Sequence, residues 1–205
     1  MRYTFEFRAN YLDPGDFTWI EFALSLVGVT PAGSFTDTFG DSARDFFAAA
    51  DLARVDLLPP GGKAAVLELG CGGGATGALA LRQRRCASWI GIEADAAAAG
   101  DALFALTDVR VGELEALDLP YGAGTFDVIL LGDGVAGFKT PQATVPRLAA
   151  MLKSGGWLYV MAADLPAPDT APAWLEAKSL AKLLRRAGLN AISAPARGVS
   201  RGRMP

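Results

Sequence analysis

Ala64–Leu81 reads AAVLELGCGGGATGALAL, and the rest of the chain is organised around it. Ala65–Leu69 is a short apolar run, the pattern of a parallel strand covered on both faces. Gly70, Gly72, Gly73 and Gly74 follow almost without a break. Glycine admits positive φ and lets a ligand lie against bare backbone. Ala75–Leu81 has helix-forming composition. A helix starting there aims unpaired N–H groups at whatever sits over the turn. Strand, glycine turn and helix in succession predict an open α/β fold with a ligand at the turn.

Two ligand classes use such a turn. The dinucleotide pattern G-x-G-x-x-G/A is met loosely by Gly70-Cys71-Gly72-Gly73-Gly74-Ala75. The more specific match is Glu68-Leu69-Gly70-Cys71-Gly72-Gly73-Gly74. It resembles the E-x-G-x-G-x-G signature of the class I S-adenosylmethionine-dependent methyltransferases. An acid two places before the first glycine suits a cationic amino-acid ligand and repels a pyrophosphate. The resemblance implies that Glu68, Gly70, Cys71, Gly72, Gly73 and Gly74 hold S-adenosylmethionine, with S-adenosylhomocysteine as product.

Downstream stretches extend the likeness. Ser88–Glu93 (SWIGIE) reads as a second strand ending in an acid 23 residues past Gly70. A carboxylate there accepts hydrogen bonds from ribose hydroxyls, so Glu93, with its neighbour Ala94, is expected at the cofactor. Asp95 caps an alanine-rich helix expected over Ala96–Leu106. Asp108–Gly112 is a third strand, after which the resemblance implies an acid accepting from the adenine amino group. Glu113 with Leu114 and Glu115 with Ala116 both suit the spacing; strand ends favour Glu113 and Leu114. Leu117–Gly132, LDLPYGAGTFDVILLG, resembles the family's L-P-[FY]…[ST]-F-D-x-[IV] approach to its fourth strand. Asp133 follows at that strand's carboxyl end, where open α/β sheets bind ligands.

The likeness has a gap. Many small methyltransferases carry an Asp-Val-Leu-Glu-His-Leu-like run where this chain has Gly132–Phe138, GDGVAGF. Asp133 is kept, but Ala136-Gly137 stands in place of the Glu-His pair. Asp133 is then the nearest candidate base, with Tyr3 and Tyr11 more distant; it suits the cofactor's methionine part equally well.

Composition narrows the alternatives. The 205 residues suggest one domain, and 51% hydrophobic content provides a sizeable core. No histidine is present, which excludes Ser-His-Asp and Cys-His hydrolases. Cys71 and Cys86 have no metal-type spacing, and a reduced, cytoplasmic protein is expected. The net charge of −3 offers no global attraction to nucleic acid. No secretory or membrane-spanning segment is legible, so neither nucleic acid nor membrane is an expected partner.

The flanks are harder to read. Tyr3–Arg8 alternates as a short strand would, and Phe17–Val29 is apolar without a decisive period. A helix is expected through Phe46 to Leu57. By resemblance, residues 1–60 form a substrate lid, with Tyr3, Tyr11 and Trp19 as wall candidates, although such aromatics equally well bury core area. Pro146 should break a helix over Thr140–Leu152, forcing a start near Thr144 or a kink. Lys153–Gly156 should stop it before a fifth strand, Trp157–Ala162. Trp174–Ala187 reads as a helix and Leu189–Ser193 as a sixth strand. Residues 194–205 carry glycine, proline and arginine and read as a tail, leaving the family's C-terminal sheet edge shortened. The whole implies a three-layer, Rossmann-like α/β sandwich with a methyltransferase-like domain over 61–193. Methyl transfer to a small-molecule acceptor is the first functional reading. A cofactor-binding, non-catalytic partner protein is the second, and a nucleotide-dependent dehydrogenase is a distant third.

Overall fold

A computed structural model describes residues 49–113, 115, 119–132, 137–161, 172–196 and 199–205. The elements are α1 (Ala49–Asp56), β1 (Ala65–Leu69), α2 (Ala75–Arg82), β2 (Ser88–Glu93), α3 (Ala96–Ala102), β3 (Asp108–Val111), β4 (Phe126–Leu131), α4 (Pro141–Ala150), β5 (Leu152–Met161), a 3-10 turn (Ala173–Leu175), α5 (Ala177–Arg186), β6 (Asn190–Ala196) and β7 (Val199–Arg203). Seven strands form one sheet in the order β3-β2-β1-β4-β5-β7-β6. The first five are parallel, and β7 runs antiparallel between β5 and β6.

Alternation along the strands builds two cores. Leu67, Leu69, Ile129, Leu131, Leu158 and Val160 point to one face, where Val145 and Leu148 of α4 and Leu180 and Leu184 of α5 cover them. Val66, Val128, Leu130 and Tyr159 point to the other, beneath Val55 of α1, Leu79 and Ala80 of α2 and Ala99 and Ala102 of α3. Burial on both faces is why β1 and β4 read as apolar runs, each broken by a single acid. The single polar residue inside β4 is placed for a purpose. Asp127 Oδ2 accepts from the Ala65 N–H at 2.8 Å and from Lys153 Nζ at 2.7 Å. It ties β1, β4 and β5 together at the end of the sheet opposite the glycine turn.

Four expectations change. Residues 194–205 do not trail away and the sheet edge is not shortened: β6 runs to Ala196, and β7 inserts beside β5. The strand is invisible in VSRGR because its support comes from neighbours. Arg201 and Arg203 lie over the Trp157 ring, with guanidinium carbons 4.3 and 5.6 Å from its centroid. Residue 202 must be glycine because a Cβ there would sit 2.9 Å from Leu189 Cβ. Secondly, α4 begins at Pro141, whose missing N–H costs nothing in a first turn, and continues through Pro146 rather than starting at Thr144. Thirdly, Lys153–Gly156 is a bulge inside β5. Pairing jumps from Phe126↔Leu152 to Val128↔Trp157, and Gly155 takes φ 78°. Finally, α3 ends at Ala102. The chain then turns so that Leu106 packs on the bare faces of Gly74, Gly77 and Gly91, which a longer helix would prevent.

The readings of Tyr3–Arg8 and Phe17–Val29, and Leu114, Asp133 and Ala136, lie outside the described residues. Among the described residues, no helix is long and apolar enough to cross a membrane.

Candidate functional site

Strand order reverses at β1, between β2 on one side and β4 on the other, and such a switch point opens a crevice at the carboxyl ends of the strands. A cavity of about 480 Å³ lies there. Its wall is assembled from the segments that leave β1, β2 and β3, from α1, and from the stretch before α4.

The glycine turn forms the floor. The Gly70 and Cys71 N–H groups donate to the Ile92 carbonyl at 2.8 and 3.2 Å, which fastens the turn to β2. Gly72 adopts φ +52°, and a Cβ there would meet no atom within 4 Å. The backbone thus presents open space where any side chain would intrude. Gly74 serves a different purpose. At φ +82° it caps α2, and a Cβ would press within 3.2 Å of Ala102. No side chain caps α2, and Ala75 and Thr76 of its first turn line the cavity. The positive end of a helix and its free N–H groups therefore face the space.

Glu93 is held rigidly. Its Oε2 accepts from the Gly72 N–H at 2.8 Å and its Oε1 from the Asp95 N–H at 3.0 Å. Each oxygen keeps lone pairs for further donors. Asp95 in turn accepts from the Ala97 and Ala98 N–H groups, as its cap position predicts.

The two acids after β3 separate by employment. Both Glu113 and Glu115 line the cavity. The Glu115 carboxylate accepts from the Lys139 and Thr140 N–H groups at 2.6 and 2.8 Å and from the Thr144 and Thr140 hydroxyls at 3.0 and 3.1 Å. It braces the turn that enters α4, supplied from a distant part of the chain. Burial pushes its pKa up, but those four donors outweigh burial and hold it below the ordinary carboxylate value. Glu113 is exposed and makes none of these bonds.

Of the residues expected at the cofactor, Gly70, Cys71, Gly72, Gly73, Glu93, Ala94 and Glu113 therefore meet around one cavity. Glu68 does not line it. Its side chain is buried behind the turn, where Oε2 accepts the Trp89 indole N–H at 3.0 Å. The acid of the motif thus links β1 to β2, a contact that its position in sequence did not disclose. Cys71 lines the cavity as a neutral thiol. Burial, reinforced by the charges of Glu68 and Glu93, pushes its pKa up to about 12, so it is no nucleophile.

Sequence reasoning missed Asp51 and Arg54 of α1, Thr76, and the stretch Gly137-Phe138-Lys139. The Thr76 hydroxyl donates to Asp51 Oδ1 at 2.6 Å, coupling α1 to α2. No local motif marks these residues, because they reach the wall only through packing. The wall carries the carboxylates of Asp51, Glu93, Glu113 and Glu115 against the cations of Arg54 and Lys139. Its net negative charge suits a cationic sulfonium and opposes a dinucleotide's pyrophosphate.

A methyltransferase-domain family model matches residues 43–194. The chain belongs to this family of methyltransferase domains. Solved structures share the fold. A Haloferax volcanii methyltransferase in complex with the Trm112 methyltransferase activator superposes with a TM-score of 0.62 at 15% identity, over 75% of this chain and 87% of that one. An S-adenosylmethionine-dependent methyltransferase from Thermotoga maritima gives 0.56 at 21% identity, over 76% and 87%. A TehB-like S-adenosylmethionine-dependent methyltransferase from Corynebacterium glutamicum gives 0.58 at 16% identity, over 93% and 96%. No curated protein matches in sequence.

Proposed function

We propose that the protein transfers a methyl group from S-adenosylmethionine to a small-molecule acceptor. The observation that carries this reading is the cavity at the switch point. It combines the open backbone of Gly72, the anchored carboxylate of Glu93 and a net negative wall. These residues fit the cofactor: bare backbone for close approach, acceptors for hydroxyl and amino groups, and charge of the right sign. The bound cofactor supplies an electrophilic methyl on a positively charged sulfur.

Each group of the chain has a part. Gly70–Gly73 and the first turn of α2 cradle the amino-acid portion, with Arg54 as a positive charge on the cavity wall. Glu93 accepts from the ribose hydroxyls while its own bonds to Gly72 and Asp95 hold it in register. Glu113, which takes no part in the Glu115 bonds before α4, accepts from the adenine amino group, and Leu114 supplies the adjoining backbone. Glu68 acts through Trp89 as a positioning residue. Asp133 is assigned to the methionine part, with base catalysis as its lesser role. Gly137, Phe138 and Lys139 form the acceptor side, with the segment preceding β1 as its cover. Catalysis then consists mainly of holding nucleophile and methyl carbon close and aligned, an effect that contributes up to ~7–11 kcal/mol.

The test is a thermal melt with and without S-adenosylhomocysteine. A ligand at about one hundred times its Kd adds ~2.7 kcal/mol to the native state, several degrees for a chain of this size. The shift should disappear in Gly72→Val and shrink in Glu93→Ala. A cooperative melt that neither S-adenosylhomocysteine nor S-adenosylmethionine moves would defeat the enzyme reading and favour a role as a partner protein.

A further inference from the structure

The sheet has two edges, and they are built differently. At β6 the edge is blunted. Pro195 cannot donate to a ladder, Ala191 sits at φ 46°, and the pairing with β7 shifts register twice. At β3 none of these devices is present. The strand is regular, and on its free side the sheet ends. The Gly112 N–H donates to the Glu93 carbonyl, so alternation along the strand turns the peptide groups of Val109 and Val111 outward. The Val109 N–H is met there by the carboxylate of its own neighbour, Asp108, at 3.0 Å.

This edge also carries the apolar surface. Among the described residues, the exposed large hydrophobics are Leu103, Phe104 and Val111, with Phe104 88% exposed. All three belong to β3 or to the turn leading into it. Between them, Asp108 and Arg110 project from the opposite face of the strand, both partly exposed and paired with each other at 3.2 Å. An aspartate and an arginine two positions apart on an edge form a self-complementary code. If two such strands meet antiparallel about a two-fold axis through Val109, each Asp108 faces the other copy's Arg110, twice. In that register the outward peptide groups of Val109 bond to one another, each Val109 N–H exchanging its own Asp108 carboxylate for the second copy's carbonyl while that carboxylate turns to the second copy's Arg110.

We propose that β3 is a homodimer interface, joining two copies of this chain edge to edge into one continuous sheet. Val109 lies at the centre, reciprocal Asp108–Arg110 pairs flank it, and Phe104 and Val111 are covered by the second copy. Glu113 follows the strand by two residues, so the interface borders the rim of the cavity.

Sedimentation equilibrium of the full chain across the micromolar range tests this. Wild type should dimerise. Arg110→Asp places aspartate against aspartate, and Asp108→Arg places arginine against arginine; each should weaken dimerisation by roughly tenfold or more. An equimolar mixture of the two variants restores opposite charges at every facing position and should recover the dimer. Circular dichroism melts check that each variant is folded, and Phe104→Ser, which leaves the charges intact, should also weaken the dimer. A wild-type monomer throughout the range overturns the proposal. So do single variants that dimerise like wild type, or folded variants whose mixture stays monomeric.

Discussion

Glu93 and Glu115 stand on the same cavity wall, yet their hydrogen bonds assign them different work. Glu93 takes two backbone donors and keeps acceptor capacity toward the cavity. Glu115 spends its oxygens on four donors at the start of α4. Because those donors act only in the folded state, the folded pKa lies below the unfolded one. Its contribution to stability is therefore complete above the unfolded value, near 4.3, and lost as pH falls through the folded value. Glu115→Gln should lower the melting temperature at pH 7, and the difference from wild type should close toward pH 3. A gap that persists unchanged at low pH would show that the charge is not what matters. With Ala the loss should be about 1–3 kcal/mol, that of donors left without their charged acceptor.

At the scale of elements, the motif residues divide between the two ends of the strands. The glycine turn, Glu93 and Glu113 follow the carboxyl ends, where the cavity lies. Asp127, the acid of the F-D-V run, sits at the other end, clamping β1 and β5 to β4. Asp127→Ala leaves the Ala65 N–H and the Lys153 ammonium without this acceptor. It should cost about 1–3 kcal/mol, several degrees of melting temperature, while leaving the affinity for S-adenosylhomocysteine unchanged once folded. Lost affinity in a variant of wild-type stability would place Asp127 in the binding machinery instead. Glu68 is the converse case. It belongs to the glycine motif at the cavity, yet its oxygen accepts from Trp89 behind the turn.

For the molecule as a whole, the C-terminal strands close the sheet in reverse of their order along the chain. β7 lies between β5 and β6, so the last five-residue strand carries the contacts of both neighbours. Ending the chain before Val199 would strip β6 of its partner and uncover Trp157 and Leu189. Such a truncation should accumulate as insoluble protein or melt without a cooperative transition. A soluble truncation with a cooperative melt would mean that β7 is dispensable.

What the sequence determined by itself was everything encoded within a few residues. Glycines that need positive φ or bare backbone, the Asp95 cap, and apolar runs covered on both faces are local demands that only certain side chains meet. Those demands located β1, the turn, α2, β2, β3 and β4. Tertiary structure alone decided what depends on residues far apart. Asp51 and Arg54 reach the cavity because α1 packs on α2, and Glu115, unlike Glu113, is drawn to the turn entering α4. Glu68 turns to Trp89, and VSRGR becomes a strand because β5 and β6 supply its hydrogen bonds on both sides. Local chemistry sets what each segment can be, whereas burial and backbone hydrogen bonding between distant segments select what it becomes.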